Sequence, residues 1–129
     1  MSFTYDSLVK IGAIKYFKAD IIIEAARDLY YVSHIKKNLV EQRGIKDDKE
    51  ATDGTVKIVT ELIAQDYCSL ATWGKEKGSF EELTITPEEL HKLVDQHNTT
   101  KVSPFDYFLI ATEKSKEWVA RYEKLIDEL

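Results

Sequence analysis

TVKIVTELIAQDYCSLATW, residues 55–73, changes its periodicity partway along. Val56, Val59, Leu62 and Ile63 recur at helical spacing, and YCSLATW, residues 67–73, then alternates as a strand does. A helix starting near Thr55 therefore empties almost directly into a strand. With its apolar stripe turned inward, that helix would present Lys57, Thr60, Glu61, Ala64 and Gln65 to the outside.

Upstream, SLVKIGAIKYF, residues 7–17, predicts a helix on Val9, Ala13, Tyr16 and Phe17, weakened at Gly12 by roughly 1 kcal/mol relative to alanine. ADIIIEAARDLYY, residues 19–31, continues helical with Ile22, Ala25, Ala26 and Leu29 on one face, and Ile21 and Ile23 widen the buried arc. Ser33 is placed to cap HIKKNLVEQR, residues 34–43, and Gly44 sits where a helix end favours a left-handed residue. IKDDKEATDG, residues 45–54, is polar and turn-rich and reads as an exposed loop.

Downstream, GKEKGSFEEL, residues 74–83, reads as a loop with two glycines. TPEELHKLVDQH, residues 86–97, carries Thr86 as N-cap, Pro87 at the first helical position and Glu89 closing a capping box, with Leu90, Leu93 and Val94 facing inward. NTTKVSP, residues 98–104, is a turn, and FDYFLIA, residues 105–111, is an apolar run of strand length. TEKSKEWVARYEKLIDEL, residues 112–129, puts Trp118, Val119, Tyr122, Leu125, Ile126 and Leu129 on one helical stripe. The two strands can pair antiparallel. The expected fold is α+β and helix-rich, one domain over residues 1–129, with a winged-helix-like plan and a helix inserted between the strands of a small sheet.

The segments ELIAQDYCSLATW, GSFEEL, TPEELHKLV and PFDYFLIATEKSKEWV resemble a loosely defined group of small bacterial winged-helix-like proteins, mostly of unassigned function. The likeness covers roughly the C-terminal half and rests on caps and core positions. The chain departs from that pattern at Ser115, where a glycine usually follows the TEK triplet. Some members of such groups look like immunity proteins that neutralise a toxin, and the resemblance implies that function by analogy.

The charge pattern separates the function classes. The formal net charge is −5, so an acidic chain meets phosphates at a disadvantage unless it carries a local basic patch. A DNA-binding transcriptional regulator is the alternative reading, with the helix from Thr55 to Asp66 as reader. That helix offers Lys57 and Gln65 beside Glu61 and Asp66, and the 74–78 loop interrupts Lys75 and Lys77 with Glu76. Lys36, Lys37 and Arg43 form the densest basic cluster. A nucleic-acid partner is not expected.

Catalytic patterns are missing as well. His34, His91 and His97 lack metal-ligand spacing, and Cys68 has no histidine near it in sequence. The pairs Asp47 with Asp48 and Glu81 with Glu82 are adjacent in extended segments, where neighbours point opposite ways. Gly74 and Gly78 frame no phosphate-binding motif. The chain is expected to be non-enzymatic, without cofactor or metal. A single cysteine and the lack of an apolar N-terminal run point to a cytoplasmic protein with no membrane association.

Protein binding remains. Acidic residues concentrate at 47–50, at 80–83 and at Glu88 and Glu89, and Trp73, Phe80, Phe105 and Tyr107 supply aromatic surface nearby. Opposite potential speeds encounter with a basic partner, and aromatic anchors supply the buried contacts. Nuclease toxins are basic because they hold phosphates, which makes such a toxin the expected partner. The candidate binding residues are Trp73, Phe80, Glu81, Glu82, Asp106 and Tyr107. A homodimer is compatible with this reading, as is a small molecule held between the inserted helix and the sheet.

Overall fold

A computed structural model of the chain describes residues 3–96, 105–118 and 121–129. Its helices are α1 (Tyr5–Lys10), α2 (Ala13–Arg27), α3 (Val32–Glu41), α4 (Asp48–Ala64), α5 (Pro87–Gln96), α6 (Glu113–Trp118) and α7 (Tyr122–Glu128). Its strands are β1 (Tyr30–Tyr31), β2 (Cys68–Trp73), β3 (Phe80–Glu82) and β4 (Tyr107–Ala111). The strands form one antiparallel sheet in the order β1-β4-β2-β3. The fold is thus α+β and helix-rich, with helices between strands, and no helix among the described residues is long and apolar enough to cross a membrane.

The expected helix-to-strand junction is present: α4 ends at Ala64 and β2 begins at Cys68. The reversal is made at Asp66, whose φ of 62° lies in the left-handed region. Side chains from the far end of the chain tie this corner down. The Thr112 hydroxyl donates to the Asp66 carbonyl (2.5 Å), Lys114 Nζ donates to the Gln65 carbonyl (2.9 Å), and the buried Ser115 hydroxyl donates to the Tyr67 carbonyl. Ser115, the point of departure from the resembling pattern, therefore has a bonding role at the corner. A β-branched residue at Asp66 would be strained by roughly 1–2 kcal/mol. Asp66→Val should lower the unfolding free energy by that amount in equilibrium denaturation, and Asp66→Asn should leave it close to wild type.

Several boundaries differ from expectation, each for a local reason. The 7–17 helix is two helices, because Gly12 adopts φ +80° and turns the chain between α1 and α2. α1 also starts earlier, at Tyr5, since Thr4 and Ser7 form a reciprocal capping box. The 19–31 helix stops at Arg27, and Tyr30 and Tyr31 pair with Leu109 and Phe108 as a strand. α3 follows immediately with Tyr31, not Ser33, at its N-cap. Gly44 does take a left-handed φ of +76°.

The predicted 45–54 loop is mostly helix. Asp47 caps α4 by accepting from the Lys49 N–H (3.0 Å), and Glu50 accepts the Tyr5 N–H (2.9 Å) while Asp48 pairs with Lys36 (2.8 Å). Acidic residues in a first helical turn also favour the positive end of the helix dipole. The inward stripe is narrower than expected, since Ile63 is exposed. α5 begins at Pro87 with the Thr86–Glu89 capping box in place, and His91 meets Asp53 of α4 at 3.0 Å. The single helix expected over 112–129 is α6 and α7, with Arg121 in a non-helical conformation before α7. The 98–104 turn and His97 lie outside the described residues.

The main core lies between the helices and one face of the sheet. Phe17, Ile21 and Ile22 of α2, Ile35 and Leu39 of α3, and Ile58 and Leu62 of α4 are buried there with Leu70 and Leu109.

Candidate functional site

Register sorts the sheet into two faces. Ala71 sits opposite Phe108 and Glu82, Thr72 opposite Tyr107 and Glu81, and Trp73 opposite Phe80. Residues directly opposite share a face, and successive residues alternate. The inner face therefore carries Cys68, Leu70, Thr72, Glu81, Tyr107, Leu109 and Tyr30, and it meets the helices. The outer face carries Ser69, Ala71, Trp73, Phe80, Glu82, Phe108, Ile110 and Tyr31.

The outer face is aromatic. Phe108 is fully buried although it does not belong to the main core. Its cover is other rings: Trp73 at 4.6 Å between centroids, Tyr31 at 6.3 Å and Phe80 at 6.4 Å. Phe105 packs edge-on against Tyr31 (5.0 Å) and His34 (6.1 Å). Three of these rings are half open to solvent: Trp73 is 45% exposed, Phe80 51% and Phe105 51%.

These rings are held. Trp73 Nε1–H donates to the Phe105 carbonyl (2.9 Å), and the Thr72 hydroxyl donates to the Asp106 carbonyl (2.8 Å), fastening the approach to β4 onto β2. The β2–β3 turn is closed by Gly74 N–H to the Ser79 carbonyl (2.9 Å) and Ser79 N–H to the Glu76 carbonyl (3.0 Å), with Gly78 at φ +84°. His34 is held below its usual pKa by burial and then by Lys37. The imidazole on this face is therefore neutral at pH 7.

The structure groups half of the predicted residues. Trp73, Phe80 and Glu82 meet on the outer face. Glu81 and Tyr107 project from the opposite face, where Tyr107 is half-buried against the core. Asp106 is exposed beside Phe105 at the entrance to β4. Sequence reasoning did not place Tyr31, His34 or Phe108 here. The YY pair at 30–31 was the available signal, since adjacent tyrosines favour a strand over a helix.

Of the six basic residues weighed for contact with phosphates, three are engaged within the fold. The buried Lys36 pairs with the exposed Asp48, Arg43 lies over the Phe17 ring (4.2 Å) and donates to Asn38, and Lys57 lies over the Tyr5 ring (5.1 Å). On the exposed face of α4, Glu61 pairs with the buried Lys18. Lys37, Lys75 and Lys77 remain exposed. A cavity of about 240 Å³ lies between α4 and the β3–α5 connection, lined mainly by Ile63, Leu70, Leu83, Ile85 and Leu90.

Cys68 is buried in β2, and burial pushes its thiol up to about 12. The folded chain keeps this proton above the ordinary pKa of 9.0, so the thiol stabilises the fold fully below pH 9. That contribution is lost as pH rises from 9 toward 12. Iodoacetamide at pH 8 should leave the native thiol unmodified and label the denatured chain. Cys68→Ala should flatten the fall in stability above pH 9. No family model, curated protein or solved structure matches this chain.

Proposed function

We propose that the chain is a non-catalytic protein-binding domain that neutralises a basic toxin by covering it with the outer sheet face. The observation that carries this reading is the exposed ring cluster of Trp73, Phe80 and Phe105, backed by buried Phe108 and adjoined by Glu82. Exposed rings fixed in place before binding lose little freedom on docking, and tryptophan is among the residues that dominate interface energies. Carboxylates at the edge of the cluster favour a cationic partner. A nuclease toxin has the required charge, and an acidic cover competes for the surface that would hold phosphate.

The winged-helix-like plan is part of this proposal. β1 lies beside β4 and β4 beside β2, with β3 and α5 inserted between β2 and β4 where a simple wing would turn back. The exposed face of α4 supports protein binding over DNA reading. Lys57, over the Tyr5 ring, is the one lysine of the 55–66 stretch, and Glu61 is exposed there with Lys18 as partner, so a single positive charge stands beside a carboxylate.

The test is co-expression with the product of the neighbouring reading frame in the source genome. Rescue of growth and a stable one-to-one complex are expected. Trp73→Ala should weaken that complex by roughly 30-fold or more, the scale of a 2 kcal/mol hot spot. Failure to rescue, together with duplex DNA binding that falls steeply with salt, would overturn the proposal in favour of a regulator.

A further inference from the structure

We infer that the free edge of β3 receives an extended, arginine-bearing segment of the partner, which pairs antiparallel and becomes a fifth strand of the sheet. The inference rests on the basic-partner reading and specifies how that partner is held. β3 ends the sheet among the described residues, bonded on one side to β2. An edge strand presents unpaired N–H and C=O groups to whatever lies beside it.

The ladder shows which groups these are. Gly74 N–H bonds to the Ser79 carbonyl (2.9 Å), and Leu83 N–H bonds to the Leu70 carbonyl (2.8 Å). Antiparallel pairs alternate between bonded and non-bonded, so Ser79, Glu81 and Leu83 turn their backbone toward β2. Phe80 and Glu82 turn theirs outward, to the open edge. Their side chains are also the ones on the outer face, beside Trp73 and Ala71. A guest strand bonded to Phe80 and Glu82 must therefore lay alternate side chains against the Phe80 ring and the Glu82 carboxylate.

Arginine fits both places. A guanidinium stacks on an aromatic face and forms paired hydrogen bonds to a carboxylate. The intervening guest residue falls beside Glu81 on the other face. Glu81 and Glu82 are exposed and have no ion pair or hydrogen bond among the described residues, so both carboxylates are available. Charge on an edge strand also guards against aggregation, but a guard does not call for half-open Phe80 and Trp73 alongside it. A second copy of the chain is disfavoured, because fully overlapped β3 strands would set Glu81 against Glu81.

The probe is a ten-residue peptide alternating arginine and threonine, titrated into the isotope-labelled full chain and followed by NMR. Controls are its glutamate–threonine counterpart and two N-methylated forms, one methylated on the arginine amides and one on the threonine amides. The peptide should shift and slow exchange of the Phe80 and Glu82 amides. Methylation of the arginine amides, which face β3, should abolish binding, whereas methylation of the threonine amides should change it by less than about threefold. E82K should weaken binding by about tenfold or more, and E82Q by less.

Binding that needs Trp73 and Glu82 yet tolerates both methylated peptides, without slowing Phe80 or Glu82, overturns edge pairing and leaves the basic-partner reading standing. No arginine-peptide binding, or equal binding of the glutamate peptide, overturns both. Slowed Phe80 and Glu82 exchange that appears with protein concentration alone would assign the edge to a second copy and overturn the inference.

Discussion

Phe108→Ala is expected to destabilise the chain by about 3–5 kcal/mol, the range for truncating a buried phenylalanine. The reason is its position. Phe108 is fully buried on the outer face of β4, where Trp73, Phe80 and Tyr31 close over it. Removing the ring leaves a void beneath Trp73, Phe80 and Tyr31, and the cost of such a void adds to the lost burial. It also removes ring contacts worth about 0.5–1.5 kcal/mol each beyond area burial. Equilibrium denaturation measures the loss. Trp73→Ala, at a site 45% exposed, should cost clearly less stability while costing more binding. A Phe108→Ala chain as stable as wild type would mean that the outer face is not packed as described.

Gly54→Leu is the second large effect. Gly54 lies inside α4, where α1 and α3 approach it. A Cβ there would stand 2.9 Å from Tyr5 Cδ2 and 3.2 Å from Leu39 Cδ1. A leucine must displace both side chains, and overpacking of this kind costs about 1–3 kcal/mol, occasionally more. Tyr5 is also bonded through its N–H to Glu50 of α4, so its displacement disturbs the start of the same helix. Gly54→Ala sets a gain in helix propensity of roughly 1 kcal/mol against the short contacts with Tyr5 and Leu39. Its unfolding free energy should stay within about 1 kcal/mol of wild type, while that of Gly54→Leu falls well below it.

Gly54 also shows why part of the fold was illegible. ATDG reads as a turn by composition, and only the close approach of Tyr5 and Leu39 explains a glycine in a helix. The converse occurs at Gly12, where the break was visible as a weakness and the left-handed φ makes it a corner. β2, β4 and α5 were legible because alternation, an apolar run of strand length and a capping box are local signals. β1 and β3 were not, because two- and three-residue strands carry too few side chains to show a period. The site followed the same pattern. Trp73, Phe80 and Glu82 were identified by type, but their separation from Glu81 and Tyr107 is a consequence of register.

The most direct test of the central claim is amide hydrogen exchange on the chain with and without the product of the neighbouring reading frame, the proposed partner. The outer-face account predicts slowed exchange in β3 and at Ala71, Trp73 and Phe108, with the exposed side of α4 at Lys57, Thr60 and Glu61 unchanged. Protection centred on α4, with β3 and the ring cluster exchanging as in the free chain, would contradict it.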